Sequence, residues 1–185
     1  LEPKDSVLIR LNTWNFDETL SFSGKGAERN NLLIDSFIES EKDEKDFYAY
    51  YDLPPNKFRE KVDSTEKIKL DRYNDFVSNH PQETKKYNSV LKMALTYPLY
   101  TKVENYPMAH SAKVNDGKHD EINNDFYRHR NEIILDKDSI MYFYAYRDYV
   151  VSNLYNKVNT SGLDISSDEF TIDLLKTIAS EMKSK

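Results

Sequence analysis

Residues 21–34 read Ser21-Phe22-Ser23-Gly24-Lys25-Gly26-Ala27-Glu28-Arg29-Asn30-Asn31-Leu32-Leu33-Ile34, and they decide how the chain folds. A strand-like run enters the glycines and a helix-like run leaves them, so a phosphate-binding turn and a plain corner compete. A dinucleotide fingerprint needs three glycines inside a βαβ unit. Here Arg29 stands in the third glycine position, and no second parallel strand follows the helix. A P-loop closes on Gly-Lys-Ser/Thr after a longer loop, and Gly24-Lys25-Gly26-Ala27 does not. The stretch reads as a strand-to-helix corner in which glycine supplies an unusual backbone angle. Gly24, Gly26, Asn30 and Asn31 are expected to shape it.

Upstream of the corner, residues 7–13 place Val7, Ile9 and Leu11 on one face, and residues 18–22 do the same for Leu20 and Phe22. Both segments read as strands, joined by a hairpin loop over residues 12–17. Two strands alone make a marginal sheet, so the ribbon needs a covering layer or further strands. Downstream the period changes from two to 3.6. Leu33, Phe37 and Ile38 recur at helical spacing as far as the charge run 41–46, and Pro54-Pro55 starts a second helix that ends near Asn79. A third helix is expected through Tyr87, Val90, Leu91 and Leu95, kinked or ended by Pro98, with a further turn or two before Pro107. Residues 108–131 are polar and read as a long surface loop with one helical turn.

A fourth helix is expected over 139–158, capped by Asp138 or Ser139, with Ile140, Phe143, Tyr144, Val151, Leu154 and Val158 on its inner face. Ser166 and Glu169 offer a capping box for the last helix. That helix runs on to Lys185 with no glycine or proline to end it, so it is expected to continue into a longer protein. The fold class expected is mainly α: a bundle of about five helices with a short N-terminal β-hairpin. Residues 1–26 form the ribbon, read as the end of a truncated β segment, and residues 27–185 form the helical domain.

Composition narrows the function. Fourteen Tyr and nine Phe among 185 residues are too many large rings for a disordered chain and point to an aromatic core. The formal charge of -6 argues against a general nucleic-acid binder, which needs clustered cations. The absence of cysteine removes thiol catalysis, disulfides and Cys-ligated zinc from this chain. No apolar run approaches the roughly 20 residues of a membrane span, and Leu1-Glu2-Pro3-Lys4-Asp5 reads as the middle of something rather than a signal peptide.

Two constellations invite a chemical reading besides the corner. His119, Asp120, Asp125, His129 and Glu132 carry donors a divalent metal could use. Their histidines are ten residues apart, which matches no standard zinc pattern, so a solvated polar loop is the reading and no metal or cofactor is expected. His80 and His110 lie beside helix breaks and read as cap or loop residues. Tyr142, Tyr146 and Tyr149 fall on or beside a face different from that of Phe143 and Leu154. They either cover the core, as half-buried tyrosines often do, or offer an aromatic surface to a ligand or another domain. No Ser-His-Asp arrangement with interpretable spacing emerges.

The segment Glu18-Thr19-Leu20-Ser21-Phe22-Ser23-Gly24-Lys25-Gly26-Ala27-Glu28-Arg29-Asn30-Asn31-Leu32-Leu33-Ile34 resembles F-x-G-x-G-A-x-x-N-x-L-I in the N-terminal regions of TlpA-like thioredoxin-family proteins of the Bacteroidetes. Those proteins carry a small β-rich segment, a helical region and then a C-terminal thioredoxin-like domain. The order of elements here is similar over most of the chain, while the motif itself covers residues 18–34. The family's chemistry resides in a Cys-x-x-Cys dithiol, so no catalytic residue carries over. The resemblance implies a non-catalytic accessory part of a periplasmic thiol-disulfide oxidoreductase, with an attached thioredoxin-like domain and protein or peptide substrates as partners. It also implies a lipid anchor outside this chain as the only link to a membrane. The alternative is a free-standing cell-envelope binding module for a peptide or glycan.

Overall fold

The computed structural model describes residues 5–114, 122–160 and 162–183. Two antiparallel strands, β1 (Ser6–Arg10) and β2 (Ser21–Lys25), pair with Val7 opposite Gly24 and Ile9 opposite Phe22. A four-residue helix α1 (Phe16–Thr19) lies between them. Then come α2 (Ala27–Tyr50), α3 (Pro55–Asn79), α4 (Lys85–Val114), α5 (Tyr144–Asn159) and α6 (Asp168–Glu181), with 3-10 turns at Asn124–Glu132 and Asp138–Ile140. The mainly-α bundle with an N-terminal hairpin stands as expected.

The second strand starts three residues later than the alternation suggested. Helix α1 takes up the difference: Thr19 N–H and Leu20 N–H donate to the Asn15 and Phe16 carbonyls, and Asn12 N–H donates to Thr19 Oγ1 at 2.8 Å. Gly26 then caps α2 in the left-handed region, at φ 86°. Gly24 has φ 98°, and a Cβ there would lie 2.3 Å from the Ser6 carbonyl oxygen on the paired strand. Both glycines are thus required by backbone angle and by space. Asn31 fastens the ribbon to α2, because its side-chain amide pairs with both the N–H (2.7 Å) and the C=O (2.9 Å) of Phe22. Asn30 Nδ2 donates to the Gly26 carbonyl, and Arg29 bridges Asp5 and Glu83. The corner fastens the hairpin to α2.

Helix α2 does not stop at the charge run 41–46. Glu39 and Asp43 face the buried Lys69 of α3 at 3.3 and 2.9 Å, and Glu44 faces Lys102 of α4 at 3.3 Å. The run is a face used against two neighbouring helices. Helix α4 also outlasts its expectation and carries both Pro98 and Pro107 inside it. Each proline leaves a carbonyl one turn back without its helical partner, yet α4 is held on all sides. Leu91 and Leu95 pack with Phe76, Leu99 and Val103 with Phe47 and Phe58, and Met93 with Tyr149 and Leu154. A helix that is apolar all round is a central one. Full burial of one aromatic such as Phe58 is worth about 1.5–3 kcal/mol, so several buried side chains along α4 together outweigh the roughly 3 kcal/mol or more that each interior proline costs.

His110 is therefore an interior residue of α4, correcting the cap-or-loop reading. Its Nδ1–H donates to the Tyr51 carbonyl at 2.6 Å, and Tyr106 Oη–H donates to Leu53 at 2.7 Å. Together they clamp the α2–α3 turn onto α4. His80 is a cap, closing α3 with Nδ1–H donating to Phe76 O.

The last helix ends at Glu181, whereas the sequence suggested that it runs on. Met182 is extended, and Lys183 N–H donates to Asp136 Oδ2 at 2.9 Å. A side chain from a distant loop supplies the stop that no local residue signals. At the other end of α6 the N-cap is Ser167, one residue after the expected Ser166, accepting from Phe170 N–H.

Candidate functional site

The most unusual chemistry lies in the middle of α4, where a carboxylate stands among apolar residues. Glu104 follows Leu99 and Val103 and precedes Tyr106, all buried, and its own side chain is fully enclosed. Five hydrogen bonds from four side chains reach its two oxygens. Oε1 accepts from His129 Nε2 at 3.0 Å, Arg130 Nε at 2.8 Å and Asn153 Nδ2 at 2.9 Å. Oε2 accepts from Asn156 Nδ2 at 2.7 Å and from Arg130 Nη2. Burial alone raises the Glu104 pKa, but the Arg130 and His129 hydrogen bonds, the Arg130 charge and the Asn156 amide bring it down to about 2. The group is a carboxylate throughout the neutral range.

Arg130 reaches Glu104 in a forked pair and lies over the Tyr127 ring at 3.9 Å, which shields the guanidinium from solvent on that side. Asn153 and Asn156 sit three residues apart on α5 and so share a face. His129 comes from the 3-10 turn, stacked on Tyr100 at 4.8 Å and edge-on to Tyr149 at 5.7 Å. Burial lowers its pKa first, with the Arg59 and Arg130 charges adding to that against the pull of Glu104. Neutral His129 donates through Nε2, which leaves Nδ1 as a lone-pair acceptor, and that atom is buried with no protein partner. The arrangement is a carboxylate that fixes an imidazole tautomer and points its second nitrogen away from itself.

His129 also lines a cavity of about 440 Å³ between α4 and residues 129–142. Met93, Thr96, Tyr97 and Tyr100 form its α4 wall, and Tyr142 stands at its edge. Tyr100 links the cavity to α3 through a 2.5 Å hydrogen bond to Glu66.

Residues 108–114 and 122–131 do not form the polar surface loop expected of 108–131, whose residues 115–121 lie outside the described residues. Helix α4 runs to Val114, Phe126 packs with Phe58 and Tyr106, and His129 is buried. Of the five potential metal donors, His119 and Asp120 lie outside the described residues; Asp125 is exposed beside Arg128 at 3.4 Å, and Glu132 is exposed. Among the described residues no group of three or more His, Asp or Glu is placed to hold a metal ion. Tyr142, Tyr146 and Tyr149 do not form one surface. Tyr142 is 73% exposed, while Tyr146 and Tyr149 are fully buried. Tyr146 Oη bridges the 134–137 loop, donating to the Leu135 carbonyl and accepting from Lys137 N–H. Leu154 and Val158 are buried on the inner face of α5 as expected, but they share it with Tyr146, Tyr149, Val150 and Asn153, and Val151 points outward.

Sequence reasoning missed Glu104, Arg130, Asn153 and Asn156. A signal existed for three of them: one acid in an apolar helical run, and two amides on the apolar side of a Tyr-rich helix. Arg130 sits in a polar stretch where nothing distinguishes it.

No protein-family model, curated protein or solved structure matches this chain. No described helix is long and apolar enough to cross a membrane.

Proposed function

We propose that the chain is a non-catalytic accessory domain that positions or selects polypeptide substrates for an attached thioredoxin-like domain in the periplasm, as the resemblance of residues 18–34 implies. The observation that carries this reading is the ribbon. Leu8, Ile9, Leu11, Trp14 and Phe16 are all exposed, Trp14 by 91%. No third strand pairs with β1 or β2 among the described residues. An apolar ribbon with free edges suits an extended polypeptide, which adds main-chain hydrogen bonds along the edge and fills side-chain positions on its face. The lack of cysteine is compatible with the chemistry residing elsewhere.

The test starts with the reading frame that encodes the chain. A downstream Cys-x-x-Cys in a βαβ context is expected, and a stop codon after Lys185 overturns the reading. In the full-length protein, Ile9→Ser with Trp14→Ser should slow reduction of a protein disulfide and leave reduction of a small aromatic disulfide unchanged. Equal loss on both substrates would remove the ribbon from substrate selection.

A free-standing envelope module for a peptide or glycan is the second reading, favoured by a different observation: the tyrosine-walled cavity beside His129.

A further inference from the structure

The two edges of the ribbon are not equally free. Asn31 holds β2 from outside: its Oδ1 accepts from Phe22 N–H and its Nδ2 donates to the Phe22 carbonyl. Both polar groups of Phe22 therefore point away from β1. In an antiparallel pair, residues directly opposite turn these groups either toward each other or both outward. Ile9 lies opposite Phe22, and Val7 lies opposite Gly24, so the N–H and C=O of Val7 and Ile9 face out from the far edge of β1. None of these four groups meets a partner among the described residues, and no third strand covers them. The open edge fits another strand.

The side chains beside that edge say which strand. Successive side chains alternate between faces, so Leu8 shares its face with Ser6 and Arg10 of β1 and with Lys25 of β2. Leu8 is 74% exposed. Arg10 and Lys25 form no ion pair among the described residues, and the two strands contain no Asp or Glu in a chain of net charge -6. Cations on an edge discourage pairing with a like-charged segment. A second copy is such a segment: paired about Leu8, it would bring its Ser6, with Lys25 behind, up to Arg10. A strand that carries acids opposite Arg10 and Ser6 gains from both cations instead, because Ser6 is small enough for Lys25 to reach past it.

We propose that the outer edge of β1 takes an extended polypeptide segment of the pattern acidic-x-apolar-x-acidic. Its main chain pairs with Val7 and Ile9, its apolar residue lies against Leu8, and its acids lie beside Arg10 and Lys25. The pattern reads the same in either strand direction. The proposal rests on the reading of the ribbon as a polypeptide site and names the segment that the site selects.

The test is a titration of the ¹⁵N-labelled chain with the capped peptide Thr-Glu-Thr-Val-Thr-Glu-Thr, and with the same peptide carrying Lys in place of Glu. The Glu peptide should shift the Val7 and Ile9 amides saturably and slow their exchange, leaving the Phe22 amide on Asn31. The Lys peptide should bind about tenfold more weakly, the sum of two cross-strand attractions lost and two repulsions gained. Arg10→Glu changes an exposed residue; it should weaken the Glu peptide and strengthen the Lys peptide. Equal binding of both peptides at Val7 and Ile9 overturns the acidic pattern while leaving the ribbon a polypeptide site. Shifts at Phe22 in place of Val7 and Ile9 overturn the choice of edge, again without touching that reading. A chain that sediments as a dimer with Val7 and Ile9 already protected assigns the edge to a second copy. Phosphatidylglycerol vesicles that shift Leu8, Arg10 and Trp14 where the Glu peptide does not would make the patch a lipid contact. No saturable shift with either peptide overturns both the proposal and the ribbon's role in taking polypeptides.

Discussion

His129 Nε2 donates to Glu104 Oε1 at 3.0 Å across 25 residues of sequence, joining the 3-10 turn to the middle of the central helix. Arg130, the next residue, takes both oxygens of the same carboxylate. One dipeptide thus satisfies most of a buried charge, and α5 supplies the rest through two asparagines. Removing one partner of such a pair strands the other.

Glu104→Gln should therefore destabilise the protein by about 3–5 kcal/mol, the range for breaking a buried ion pair from one side. Urea unfolding measures it, and a loss below about 1 kcal/mol, the level of an exposed pair, would show that the network is relaxed or solvated.

Acid should weaken the fold in two stages. The His129 pKa is lowered by folding, so its contribution is present above its ordinary value near 6.5 and declines as pH falls below it. Glu104 is lowered from 4.5 to about 2, so its contribution is complete above 4.5 and is lost as pH drops through the acid range. Unfolding midpoints followed from neutral to acid pH should fall in both intervals. The lower stage should shrink in Glu104→Gln, and an unchanged acid profile in that variant would assign the acid sensitivity to other groups.

Gly24→Val forces a side chain into positive φ and against the Ser6 carbonyl. The backbone strain alone is worth on the order of 1–3 kcal/mol. Circular dichroism should keep its helical signal while the Val7 and Leu8 amides lose protection from exchange. ATP and NAD should bind neither parent nor variant; saturable binding abolished by the substitution would restore the nucleotide reading of the loop.

Asn31→Ala removes the amide that serves both polar groups of Phe22. Two neutral hydrogen bonds put the cost at about 1–3 kcal/mol. Exchange at Phe22 N–H should accelerate, with the core amides of α4 unaffected. An unchanged Phe22 rate would mean that the ribbon is held by Arg29 and Asp5 instead.

Asp136→Ala should expose the Lys183 amide to rapid exchange and leave the Ile140–Val158 region untouched, because Asp136 Oδ2 accepts from that N–H. Slow exchange retained at Lys183 would assign the end of α6 to another contact, such as the 2.6 Å pair between Lys157 and Glu181.

Local physics was legible wherever one segment decides its own state. The Gly24–Gly26 corner, the start of α3 at Pro55 and the helical character after residue 26 follow from backbone angles and periodicity within a few residues. The sequence by itself also determined that this chain has no thiol chemistry and that its core is aromatic. Tertiary structure decided everything that depends on distant partners. Packing on all sides carried α4 through two prolines, and ion pairs to Lys69 and Lys102 carried α2 through its charge run. Asp136 ended α6 from a loop 47 residues away. The candidate site belongs to this second group. Glu104, His129, Arg130, Asn153 and Asn156 come from three segments, and only their convergence turns a lone acid and a polar stretch into a buried carboxylate with a fixed imidazole. Periodicity reports which way a residue faces; it carries no information about what it meets there.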